Sequence, residues 1–265
     1  MQIGILDGVM RKRGEDAPWD QLYELARELG FQGMELGVFE NYAETRLWRE
    51  EGRRHLRDTA ARVGIETPSI CIHSYWKYSF ADEDEATREA AGRIAAGAAR
   101  AAAGVGARDI LIPLTCPREV EAEIGRKRWI DGMKKAAPAA EEAGVVFCLE
   151  NVGRPFANDP ADIIRVVDEV GSPAVAVYYD PANAVHTDLD PLEGVSLLRD
   201  RIKHVHVKEV GGTYIGDGRV PWAEILAALQ EVGYNGWLIF ETDATDDPRR
   251  AAAKNLEAMR KLLAG

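Results

Sequence analysis

Short apolar runs and longer amphipathic stretches alternate along the whole chain. The short runs read as buried strands over residues 2–7, 31–37, 66–73, 107–114, 145–150, 174–180, 202–208 and 236–241, because each is too short for a helix and is bounded by turn formers. Between them lie stretches with helical spacing: WDQLYELAREL, DEDEATREAAGRIAAGAARAAAG, PREVEAEIGRKRWIDGMKKAAPAAEEAG, PADIIRVVDEVG, PLEGVSLLRD, VPWAEILAALQEVG and DPRRAAAKNLEAMRKLLAG. Pro138 falls inside the third and predicts a kink or a break there. Gly30, Gly64, Gly106, Gly144, Gly171 and Gly233 each stand shortly before a strand, where a left-handed helix cap is expected. Eight such βα units predict an α/β fold, a (β/α)8 barrel, as a single domain over residues 1–265. An open doubly wound sheet would more often carry a glycine-rich phosphate loop after its first strand, and ILDGVMRKRG lacks one.

Composition narrows this reading without redirecting it. The chain has 265 residues, 46% hydrophobic and 29% charged, with a net charge of −11. A core of that size needs no metal to hold it together, so a metal would serve function. The acidic balance argues against nucleic acid bound through a basic face. No apolar run approaches the roughly 20 residues of a membrane span. Cys71, Cys116 and Cys148 form no CxxC pair. With no signal-peptide pattern at the start, they predict reduced thiols and a cytoplasmic setting.

The candidate chemistry sits where strands end. Asp7, His73, Glu150, Asp180 and Glu241 close their runs, Glu35 lies near the end of the second, and the seventh carries KHVHVK. The C-terminal strand ends of a barrel converge on one mouth, which holds the active site. Glu150, Asp180, His206 and Glu241 are 30, 26 and 35 positions apart, about one βα unit each. Three carboxylates and an imidazole in one mouth suit a divalent cation with oxygen and nitrogen ligands. Strand alternation puts His204, His206 and Lys208 on one face, the lumen. His206 is then the ligand, Lys208 lies one layer higher facing an anionic or enolate oxygen, and His204 lies one layer deeper as a hydrogen-bonded core residue. His73 reads as a substrate contact beside an apolar wall of Tyr75 and Trp76. Glu35 reads equally as a contact to a sugar hydroxyl or as a support for a ligand. Asp7 reads as structural, His186 as a surface residue, and the glycines of GGTYIGDGR as turn formers.

CLENVG, YYDPANAV, IKHVHVKE, GDGRVPW and IFETD follow in an order that resembles the xylose isomerase-like barrel superfamily, in particular sugar phosphate isomerases and epimerases and ketose 3-epimerases. The resemblance implies one divalent metal, Mn2+ first and Co2+, Mg2+ or Zn2+ as alternatives, held by Glu150, Asp180, His206 and Glu241. It implies that Glu150 and Glu241 also exchange protons with a keto-sugar or its phosphate through an enediolate. Lys208, Asn183, His73, Glu35, Trp76 and Arg219 are the substrate-side candidates, and Arg154 is a further cation near the mouth. Free-ketose 3-epimerases carry a glutamate and a histidine where this chain has Phe156 and Asn183. The resemblance also admits an inosose dehydratase-like lyase, a non-catalytic sugar-binding barrel and, by analogy, a homo-oligomer.

Overall fold

The computed structural model describes residues 1–12, 15, 17–154, 156–243 and 246–264. Eight parallel strands close in chain order: β1 (Gln2–Leu6), β2 (Gly33–Val38), β3 (Ser69–Ile72), β4 (Asp109–Pro113), β5 (Val146–Glu150), β6 (Val175–Tyr179), β7 (Ile202–Val207) and β8 (Trp237–Phe240). β8 pairs back onto β1 from Gln2–Trp237 to Ile5–Phe240, so the sheet has no open edge. Around it run α1 (Trp19–Leu29), α2 (Glu50–Val63), α3 (Glu85–Val105), α4 (Ala122–Ala143), α5 (Pro160–Val170), α6 (Pro181–His186), α7 (Pro191–Leu198), α8 (Trp222–Glu231) and α9 (Pro248–Ala264). No helix among the described residues is long and apolar enough to cross a membrane.

The expected architecture is present, and the departures from it have local causes. Residues 66–68 are not part of β3. Glu66 makes only an isolated bridge to Gly33, and Pro68 has no N–H to give a ladder. α2 escapes the helical pattern because only Leu56, Thr59 and Ala60 of its residues are buried. α4 neither breaks nor ends at Pro138. Pro138 and Lys134, whose carbonyl loses its helical donor, both lie on the exposed face, where water can replace the bond. The six cap glycines all take positive φ, from 68° to 97°.

Strand register decides which side chains enter the lumen. Gly4 pairs with Gly33 and Ile239, and Gln2 with Trp237, which places these residues on the face that carries His204 and His206. Glycine at two of these positions leaves room for Trp237. A Cβ on Gly33 would lie 2.7 Å from its ring. Gly33→Val should force the indole out of place and cost about 1–3 kcal/mol, an overpacking penalty. A urea midpoint equal to that of the native chain would show that Trp237 does not need the space.

Candidate metal centre and active site

Each member of the quartet reaches the mouth by a local device. Glu150 is the last residue of β5, and Glu241 follows β8, its N–H donating to Val207 O at 3.0 Å. Asp180 follows β6 and caps α6, with Pro181 at the first helical position. Its Oδ1 accepts from the Asn183 N–H at 3.0 Å, which turns Oδ2 inward. His206 points its Nδ1 into the cluster, 2.9 Å from Glu150 Oε1, 3.3 Å from Glu241 Oε2 and 3.9 Å from Asp180 Oδ2. One donor atom from each of the four residues lies within 4.8 Å of the others.

The residues fit a divalent cation. Asp180 Oδ2 is buried, its charge is met by Lys208 Nζ at 2.6 Å, and it lies with one donor atom each of Glu150, His206 and Glu241 in a group within 4.8 Å. The donor set of carboxylate oxygens and one imidazole nitrogen suits a borderline or hard divalent ion.

A polar column beneath the quartet holds it in place. Glu35 has no exposed surface. It accepts from Ser69 Oγ at 2.6 Å and Tyr178 Oη at 3.1 Å, and it lies 3.4 Å from His206 Nε2. A carboxylate behind a ligating imidazole fixes the ring and its tautomer. One layer lower, His204 bonds Asp109 at 2.7 Å and stacks on Tyr178, as expected of a core histidine. Asn151 ties two ligand strands together: its amide donates to Asp180 O at 2.7 Å and its Oδ1 accepts from Asp180 N at 2.8 Å.

The crowding divides the charge unevenly. Burial pushes the Glu150 carboxyl up to about 7, although His206 pulls it down. Glu241 is less buried, and although burial still opposes its charge, His206 and Lys208 hold it well below the usual carboxylate range. Burial opposes charge on Lys208, yet Asp180, Glu241 and Glu150 hold its pKa well above the ordinary lysine value. Burial also lowers His73, despite the nearby carboxylates.

The mouth has two connected spaces. An inner chamber of about 180 Å³ is lined by His73, Trp76, Val152, Asn183, Lys208 and both glutamates. An outer chamber of about 670 Å³ shares His73, Asn183, Lys208 and Glu241 and adds Phe39, His186, Glu209 and Asp243. Four substrate-side candidates (Lys208, Asn183, His73 and Trp76) therefore meet here. Glu35 and Arg219 do not. Glu35 lies sealed below His206, and Arg219 sits on the rim with its nearest carboxylate, Asp188, at 3.8 Å. Tyr75 is not part of the wall either. It is fully buried and donates to Ala91 O, while Trp76 is 52% exposed. Asp7 is structural as expected, accepting from Trp19 and from the Gly37 N–H, each at 2.9 Å. His186 is exposed but reaches the outer chamber. Asn151, Tyr178 and Glu209 were missed from the sequence. Glu209 accepts from the N–H groups of Val210, Gly216 and Val220 and so shapes the loop after β7.

The model of one family, described as xylose isomerase-like TIM barrel, matches residues 23–262. The chain belongs to that family. Among relatives, the L-ribulose-5-phosphate 3-epimerase of Salmonella paratyphi C (strain RKS4594) is 28% identical over 246 residues, covering 89% of this chain and 87% of the relative. A solved L-ribulose 3-epimerase superposes with a TM-score of 0.87 at 20% identity, covering 99% of this chain and 94% of the other. D-psicose 3-epimerase from Clostridium cellulolyticum H10, solved with D-tagatose, gives 0.85 at 20% identity with 99% of both chains covered. At these identities the two family structures speak to the fold.

Two predictions follow from this geometry. Because burial pushes the Glu150 carboxyl up to about 7 and the surrounding carboxylates hold His206 well above its ordinary value, protons compete for the ligand atoms as pH falls. Mn2+ affinity should therefore drop by about tenfold or more from pH 8 to pH 6. Calorimetry in buffers of different ionisation enthalpy should show proton release, and a pH-independent affinity would contradict the assignment. Glu35→Gln should weaken Mn2+ binding by about 10–100-fold through His206; unchanged binding would remove Glu35 from the support of the site.

Proposed function

We propose that this chain is a divalent-metal-dependent epimerase or isomerase of a small keto-sugar or its phosphate. The carrying observation is that Glu150 and Glu241 line one small chamber from different sides of the mouth, with Asp180 and His206 between them. The epimerase relatives support the reading. We assign Glu150, Asp180, His206 and Glu241 as the metal ligands.

A C–H beside a carbonyl is a weak acid, so its removal needs a positioned base and stabilisation of the developing oxyanion. A bound divalent ion would supply Lewis acidity at the substrate's oxygens, and Mn2+ is the first choice among those this donor set accepts. The protein supplies the proton traffic. Glu241, kept ionised by His206 and Lys208, takes the proton from carbon. Glu150, on the other side of the chamber, returns a proton. After one turnover the two carboxyls have exchanged protonation states, as a reversible inversion requires. Lys208 and Asn183 border both chambers and hold the substrate oxygens, while His73 and Trp76 close the wall beside them.

Nuclear magnetic resonance in deuterated water with Mn2+ and a ketose panel tests the reading. Exchange of one carbon-bound proton without loss of water fits epimerisation or isomerisation. Loss of water would mean a lyase, and binding without exchange a sugar-binding barrel. Glu150→Gln and Glu241→Gln should each lower turnover by about a thousandfold. A variant that keeps more than a tenth of native turnover would remove that glutamate from the acid/base pair.

A further inference from the structure

The cations around the mouth are not equivalent. Lys208 stands 2.6 Å from Asp180 and 3.0 Å from Glu241, so its charge is already shared between two carboxylates. Arg219 is drawn toward Asp188. Arg154 differs: among the described residues it forms no ion pair with a carboxylate, and its guanidinium lies 5.4 Å over the Trp76 ring. Trp76 and Val152, its neighbours in space and sequence, form one wall of the inner chamber.

The loop that carries Arg154 is held at several points. Gly153 has a φ of 63°, and Phe156 one of 55°, a conformation costly for a side chain with a Cβ. The Phe156 ring is buried, and a Cβ on Gly125 of α4 would lie 2.9 Å from it. The Val152 N–H donates to Ala157 O and the Ala157 N–H to Arg154 O, both at 3.0 Å. Asn158 donates to Thr187. None of these contacts touches the quartet. Their combined effect is to fix the chain that presents Arg154 at the rim.

We infer that Arg154 recognises the phosphate of an acyclic ketose phosphate whose reacting carbons lie between Glu150 and Glu241; this rests on the epimerase reading above. A sugar placed in the inner chamber has two exits for its remaining carbons. The outer chamber presents Glu209, Glu241 and Asp243 against Lys208, already shared between two carboxylates, and the imidazoles of His73 and His186, so a phosphate dianion there would meet like charge. Over the Trp76–Val152 wall it meets Arg154 instead. A guanidinium held over an indole at this distance can turn its N–H groups to a phosphate, which they match in a forked pair of charge-assisted bonds. The charge asymmetry of the mouth therefore orients the substrate, with its ester toward Arg154.

The test compares L-ribulose-5-phosphate with L-ribulose on the Mn2+-loaded native chain, Arg154→Gln and Arg154→Lys. The native chain should favour the phosphate by about tenfold or more in kcat/KM, roughly the effect of a charge-assisted pair. Arg154→Gln should abolish that preference through KM, leaving kcat and the free sugar within about twofold, and Arg154→Lys should restore part of it. Equal losses on both sugars, or a preference that survives Arg154→Gln, would overturn the inference. If the native chain exchanges a carbon-bound proton in neither sugar, the epimerase reading fails. The phosphate subsite is then judged by thermal stabilisation: L-ribulose-5-phosphate should raise the native Tm and not that of Arg154→Gln. No shift in the native chain would overturn it as well.

Discussion

Four carboxylates converge around one buried imidazole, and the neutralisation of that charge is the constraint on which the mouth of this barrel depends. Glu150, Asp180 and Glu241 face His206 Nδ1, while Glu35 faces its Nε2. Charges withdrawn from water are tolerated only with counter-charges and hydrogen bonds in good geometry. Lys208 supplies one counter-charge, and the four donor atoms gathered within 4.8 Å offer a place for another cation. The same crowding that makes the site expensive to build separates the behaviour of Glu150 and Glu241.

The lumen explains how such a cluster stays ordered. Successive layers descend from the quartet through Glu35, Ser69 and Tyr178 to the His204–Asp109 pair. Each polar group finds its partner on another strand, so the hydrogen bonds tie β2, β3, β4, β6 and β7 together across the barrel. Around this column the packing is apolar and tight, down to the glycines that make room for Trp237. A side chain in the column cannot rotate without stranding a partner without its bond, which is how a rigid scaffold fixes the direction of a ligand atom.

Much of this was legible in the sequence because strand alternation is strict. The period of two places His204, His206 and Lys208 on one face, and the spacing of βα units brings Glu150, Asp180 and Glu241 beside them. The same period could have found Tyr178, which stands two residues before Asp180. Depth is what the pattern does not carry. Glu35 resembles a strand-end residue, yet β2 runs on to Val38, which leaves the carboxylate a layer below the rim. Tyr75 and Trp76 diverge because the chain leaves β3 in a 3-10 turn (His73–Trp76), where adjacent side chains no longer alternate as in a strand. Asn151 lies one residue past the end of its strand and reads as loop until the distance to Asp180 is known.

The rim obeys a different logic from the lumen. Strand geometry dictates where the quartet points, whereas loop geometry dictates where Arg154, Trp76, Glu209 and Asp243 stand. Loops tolerate change that a closed barrel does not, so a fixed catalytic floor can be combined with a variable charge pattern above it. In this chain the loop after β7 is shaped by the Glu209 carboxylate, and the loop after β5 by the buried Phe156 and two left-handed residues. One loop brings negative charge to the mouth, and the other brings an arginine that has no carboxylate partner among the described residues. On the proposed reading the floor serves proton transfer beside a carbonyl, and the opposed charges of these two loops set which end of a sugar faces which wall.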